Sequence, residues 1–258
     1  MLVASVLSLK GGVGKTTVTL GLASAARQRG ISTVVVDLDP QSNATTTLEP
    51  QGFEATIADV LGNPTVAVMA LAIRPSAWGE SVRVLAGSEA AERHNNPDPS
   101  RTRLNRLRIG VGRIYPAPDL VLIDCPPSLG QLTRNGLVAS DRAILVTEPA
   151  LYAVTGVQRA LEAVHDERVR SNPGLRPLGV VVNRARTRSV EQEYRYTELK
   201  DLFGPLVLSP NLPDRSAIQQ AQGAGIPIHD WPTAGAREVA AVFDTLLDRL
   251  LRSASRAT

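Results

Sequence analysis

Short β-branched apolar runs alternating with longer amphipathic stretches predict an α/β fold, a doubly wound, mostly parallel sheet flanked by helices. Two further observations support it. The runs are apolar throughout, as expected of strands covered on both faces. Polar, chemically useful residues also collect just after the runs, at the carboxyl ends of the strands, where open α/β sheets bind ligands.

The predicted strands are Leu2–Leu9, Ser32–Asp37, Val82–Leu85, Leu120–Asp124, Ala143–Thr147, Leu178–Asn183 and Pro205–Leu208. Helical patterns cover Lys15–Arg29, Gln131–Ala139, Val154–Val169 and Val190–Leu202. A last helix spans Ala236–Arg252, with Val239, Val242, Phe243, Leu246, Leu247 and Leu250 on one stripe. Glu92–Ser100, rich in Asn and Pro, reads as a surface loop. With no internal repeat or linker, the sequence predicts one domain over residues 1–258.

With 43% hydrophobic residues but only 3% aromatic, the core must be built from Val, Leu, Ile and Ala. The net charge of +3 permits contact with nucleic acid without arguing for it. One cysteine, Cys125, excludes an intrachain disulfide and a cysteine-based metal cluster in a monomer, and fits a reducing cytoplasm. The N-terminal run lacks a basic region before it and reads as a first strand rather than a signal peptide. No apolar run approaches the ~18 residues of a membrane span. Of three lysines, Lys10, Lys15 and Lys200, two fall in one glycine-rich segment of an otherwise arginine-preferring chain.

That segment, Lys10-Gly11-Gly12-Val13-Gly14-Lys15-Thr16-Thr17, stands between the first strand and the first helix. Its glycines let backbone N–H groups close around phosphate oxygens, and the helix N-terminus faces the negative charge. Lys15 reaches the β- and γ-phosphates, and the Thr16 hydroxyl is placed for Mg²⁺. The pattern predicts ATP and Mg²⁺ as cofactors, although Leu9 stands where the strict phosphate-loop pattern has glycine.

Lys-Gly-Gly-Val-Gly-Lys-Thr-Thr resembles the deviant Walker A motif of the ParA/MinD family of partition and positioning ATPases. The resemblance runs from Leu2 to the final helix and implies a P-loop NTPase that hydrolyses ATP slowly until a partner stimulates it. It implies that two ATP-bound monomers pack face to face, with Lys10 crossing to the partner's nucleotide. Val34 to Gln41 is similar to the family's second motif. Asp39 matches its water-positioning carboxylate and an optional water-mediated Mg²⁺ ligand, while Asp37 is open to a structural or a chemical role. Leu120 to Ser128 is similar to Walker B, with Asp124 holding Mg²⁺ through water. Asp124 to Gly130 resembles the switch that senses the γ-phosphate, with Cys125 a small buried neighbour.

By the same resemblance Asn183 faces the adenine, offering a donor and an acceptor. Pro213 to Ile228 resembles the family's proline-led loop and helix, placing Pro213 and Arg215 beside the base, although relatives often carry asparagine at Arg215. Arg186, Arg188 and Arg215 are the implied contacts to non-specific double-stranded DNA. A second cluster, Arg101 to Arg113, is left without a role. The motifs favour the ParA branch, and the final helix reads as packed rather than membrane-bound, with a short polar tail, Ser253–Thr258. The absent cysteine ligands and tyrosine-rich tail argue against the nitrogenase-reductase, arsenite-pump and tyrosine-kinase relatives. With the loop at residue 10, no separate N-terminal DNA-reading domain is expected. The implied function is plasmid or chromosome segregation on the nucleoid with a ParB-type partner. The alternatives are a MinD-like membrane-cycling ATPase and a positioning ATPase with protein cargo.

Overall fold

A computed structural model describes residues 1–186 and 188–254. Seven strands form one sheet: β1 (Leu2–Leu7), β2 (Thr33–Asp37), β3 (Ile73–Ser76), β4 (Gly79–Leu85), β5 (Leu120–Asp124), β6 (Arg142–Thr147) and β7 (Arg176–Val182). Their order is β3-β4-β2-β5-β1-β6-β7, and every pairing is parallel except β3 with β4. From the central β1 the chain crosses to β2 on one side and later reaches β6 on the other. The ends of β1, β5 and β2 therefore lie together at the switch point of the sheet.

The helices are α1 (Lys15–Gln28), α2 (Asn43–Leu48), α3 (Ile57–Gly62), α4 (Val66–Ala72), α5 (Arg101–Leu104) and α6 (Arg106–Val111). They continue with α7 (Gln131–Ala139), α8 (Ala153–Arg170), α9 (Val190–Phe203), α10 (Ser216–Gly223) and α11 (Ala234–Ala254). Successive strand residues point to opposite faces. Ala4, Val6, Leu122 and Ile144 join one core with α1, α10 and α11. Val3, Leu7, Ile123 and Leu145 join a second with α3, α6, α7, α8 and α9. Both faces are thus covered, which is why the central strands carry no alternation. Phe243 of α11 seats its ring on Gly21 of α1, where a Cβ would meet the ring at 2.1 Å. This close approach fixes α1, and with it the loop that α1 follows.

In the sheet, two elements differ from the sequence reading. Pro205–Leu208 is not a ladder strand: Gly204–Leu206 forms a 3-10 turn, and only Val207 bridges Val180. Pro205 has no N–H to give a sheet, so its apolar neighbours cover the β7 edge without extending it. The hairpin strand β3 was not predicted, because Ile73-Arg74-Pro75-Ser76 has one strong apolar residue and a proline, a composition tolerated only at an edge. Among the described residues no helix is long and apolar enough to cross a membrane. The apolar stripe of α11 is buried in the core. The tail reading falls partly on Ser255–Thr258, outside the described residues.

Candidate nucleotide site

The loop after β1 is shaped by two glycines in the left-handed region, Gly12 at φ 79° and Gly14 at φ 94°. Gly14 is constrained twice, since a Cβ there would also lie 2.1 Å from Asn183 Nδ2. No side chain caps α1, so its N-terminal amides face the loop. Lys15 is 7% exposed and makes no ion pair among the described residues. A buried ammonium that no carboxylate pairs directly is suited to a phosphate. Lys10, by contrast, is exposed, and its side chain has no hydrogen-bond or ion-pair partner among the described residues.

The Thr16 hydroxyl donates to Asp124 Oδ2 at 2.6 Å, and the Thr19 hydroxyl reaches Asp124 Oδ1 at 3.2 Å. Asp124 is register partner to Asp37 across β5 and β2, and both are buried. Burial raises the proton affinity of each carboxyl. The charge of Asp37 raises Asp124 further, against the Thr16 hydrogen bond and Lys15, which lower it, to about 7. For Asp37, burial outweighs two hydrogen bonds from Thr45. Those bonds, from the Thr45 amide at 2.8 Å and hydroxyl at 2.7 Å, make Asp37 an anchor of the turn that carries Asp39. Asp39 is 8% exposed and accepts from the Gln41 amide at 3.0 Å.

Whether these residues fit magnesium can be judged from the donors. Among the described residues no group of three or more His, Cys, Asp or Glu side chains could hold a metal by itself. A hydroxyl beside a buried carboxyl instead fits an ion that keeps several waters and shares phosphate oxygens, as Mg²⁺ does. A cation there would also relieve the crowding of Asp124 and Asp37.

The crowding has a pH signature. An acid with a folded pKa above its unfolded value of 3.8 holds its proton more tightly in the native state. The native state is therefore penalised as pH rises from 3.8 to about 7. Asp124→Asn keeps the shape without the charge. Relative to that variant, the nucleotide-free wild-type protein should lose stability across this window, read from urea midpoints at stepped pH. A gap that stays constant with pH contradicts it.

Asn183 follows β7 and is 2% exposed. Its Nδ2 donates to the Val13 carbonyl at 2.7 Å, tying the end of β7 to the phosphate loop. Its Oδ1 is buried with no hydrogen-bond partner among the described residues, so an acceptor remains. Pro213 bridges Ala185, and the Asp214 amide donates to the Ala185 carbonyl at 3.0 Å, which brings the proline-led segment beside Asn183. Arg215 is held by both oxygens of Glu238, at 2.7 and 2.9 Å. Arg186 pairs with Asp214 at 2.7 Å. Arg188 is exposed and without an ion pair among the described residues. In the second cluster Arg106 and Arg113 bind the carbonyls of Leu61 and Pro64, while Arg101, Arg103 and Arg108 are exposed. Cys125 is fully buried, and burial pushes its thiol far above the usual range, so it is no nucleophile.

The structure therefore gathers Lys15, Thr16, Asp39, Asp124 and Asn183 around one loop, while the Lys10 side chain at the start of that loop is exposed. Sequence reasoning missed Thr19 and Thr45. Thr19 had a signal, because it lies three residues from Thr16 on one helix face. Thr45 had none, since its role depends on where α2 packs.

A family model described as an AAA domain matches residues 1–176. The chain is 30% identical to the chromosome-partitioning ATPase Soj of Thermus thermophilus, over 84% of this chain and 82% of that protein. It is 29% identical to the chromosome partitioning protein ParA of Caulobacter vibrioides, over 91% and 90%. Among solved structures it superposes at a TM-score of 0.80 and 26% identity on cobyrinic acid a,c-diamide synthase from Mycobacterium smegmatis with bound ATP analog and magnesium, covering 100% of this chain and 97% of that one.

Proposed function

Since the chain belongs to the ParA family of P-loop ATPases, we propose that it is an ATP-driven dimer switch that partitions DNA. ATP with Mg²⁺ occupies the loop between β1 and α1, its phosphates met by backbone amides and Lys15. Thr16 and Asp124 hold the ion, Asp124 through water. Bound there, Mg²⁺ would supply charge neutralisation at the phosphates. Asp39 positions the attacking water, and with the phosphates fixed such positioning supplies much of the catalysis. Asn183 Oδ1 accepts from the exocyclic amine of adenine, with Pro213 beside the ring. Arg215 takes part only after release from Glu238.

The observation that carries the reading is the contrast between the two lysines. Lys15 is buried at the phosphate site, whereas Lys10 is exposed with no partner among the described residues of its own chain. A second copy related by a twofold axis would receive Lys10 at its own nucleotide. The ATP dimer then binds double-stranded DNA non-specifically. Arg188 is the readiest contact, and Arg186 and Arg215 join if their acids release them. A ParB-type protein stimulates hydrolysis and so releases the dimer from the nucleoid. Isolated turnover is slow, because the catalytic geometry is completed only in the assembly.

The test is binding to non-specific duplex DNA across a salt series. Binding should require ATP and weaken steeply with salt, since it is carried by phosphate contacts. No ATP-dependent binding at low salt would remove the partition reading.

A further inference from the structure

Between β4 and α5 the chain runs across the ends of two strands that carry the acids, and it contacts both acidic loops. At its start the Gly87 amide donates to Thr45 Oγ1 at 2.7 Å, and that hydroxyl donates to Asp37 Oδ2 at 2.7 Å. Gly87 is packed so tightly here that a Cβ would lie 2.8 Å from Asp37 Cγ. Asp37 Oδ1 in turn accepts from the Asp39 amide at 3.3 Å. One end of the segment is therefore built into the turn that sets Asp39.

Its other end meets the segment after Asp124. A Cβ on Gly130 would lie 2.1 Å from Asn95 Oδ1, so the Asn95 side chain fills the space that any larger residue at 130 would need. Asn95 Nδ2 is held by Glu92 Oε1 at 2.9 Å, which aims Oδ1 at Gly130. That oxygen is buried with no hydrogen-bond partner among the described residues. The next amide, of Asn96, donates to Oε1 of the buried Gln131 at 3.3 Å, at the start of α7. Between the two ends a short 3-10 helix, Glu89–His94, keeps the segment stiff, and Ser88 caps it.

We propose that residues 87–96 form a strap that couples the Asp39 turn to the Asp124–Gly130 segment, with Thr45 and Asn95 as its positioning residues. Neither touches the reacting atoms. They act by holding the water-positioning acid in register with the segment that adjoins the terminal phosphate. The inference rests on the ATP-hydrolysis reading above.

The experiment is a double-mutant cycle on turnover, with nucleotide affinity measured separately. Thr45→Val and Asn95→Ala should each lower the hydrolysis rate about tenfold or more, as small misplacements do, with ATP-analogue affinity essentially unchanged. Thr45→Ser, which keeps the hydroxyl, should restore the rate. The double variant should be little worse than the slower single one, because both residues serve one coupling. Gly130→Ala should slow turnover, and Gly130→Ala with Asn95→Ala should recover part of it, since the second change vacates the space. Single variants with wild-type rates would overturn the proposal, as would rate losses that multiply in the double variant. Parallel loss of affinity and rate would also overturn it, by showing a purely structural role. A wild-type protein that binds ATP but never turns it over would defeat the hydrolysis reading itself.

Discussion

Asp39→Ala should bind Mg²⁺–ATP as the wild-type protein does and hydrolyse it roughly 10²–10⁴ times more slowly, the range for losing a positioned acid–base group. Nucleotide binding rests on groups this change leaves alone: the backbone of the loop, the buried Lys15 and the Thr16–Asp124 pair at 2.6 Å. The Asp39 carboxylate has one backbone hydrogen bond, from Gln41, so removing it opens one local contact rather than a network. It also removes a negative charge that raises the proton affinity of Asp37 and Asp124, easing the crowding of the site. The fold therefore has no reason to fail, and the loss falls on the rate constant while affinity is kept. Single-turnover hydrolysis beside analogue titration checks this. Normal turnover without Asp39 would contradict the assigned role.

Lys10→Ala should give a protein that binds nucleotide and remains monomeric. Its side chain is exposed and makes no hydrogen bond or ion pair with another described residue, so the substitution is a surface change worth within about 0.5 kcal/mol of stability. On the proposed reading, Lys15 supplies the ammonium to the phosphates of its own chain. What is lost is the charge carried to the second copy, where it would meet a phosphate in a water-poor interface and be worth far more than at a surface. Light scattering at saturating ATP analogue distinguishes the states. An ATP dimer as stable as that of the wild-type protein would contradict the crossing of Lys10.

The phosphate loop was legible in the sequence because its chemistry is local. Eight consecutive residues supply the glycines, the lysine and the hydroxyl, and the flanking strand and helix announce themselves by composition. The ends of β2 and β5 were legible for the same reason, as apolar runs closing on Asp37 and Asp124. Contacts between distant segments were not. Asn183 sits 170 residues from Val13, whose carbonyl it holds, and no periodicity points there. Arg215 is paired with Glu238, 23 residues away and on another helix. The strap escaped notice because Glu92–Ser100 has the polar, proline-rich composition of any surface loop, while its meaning depends on Thr45 and Gly130 arriving at its two ends. The Pro205–Leu208 run misled because apolar content alone does not separate a ladder strand from a segment that merely covers the sheet edge.

The central claim is that nucleotide state sets the assembly of this chain. Its most direct test is the solution mass of the wild-type protein with Mg²⁺ and either a non-hydrolysable ATP analogue or ADP. The account predicts about twice the monomer mass of 27.5 kDa with the analogue and the monomer mass with ADP. The same mass in both states, with the nucleotide shown to be bound, would contradict it.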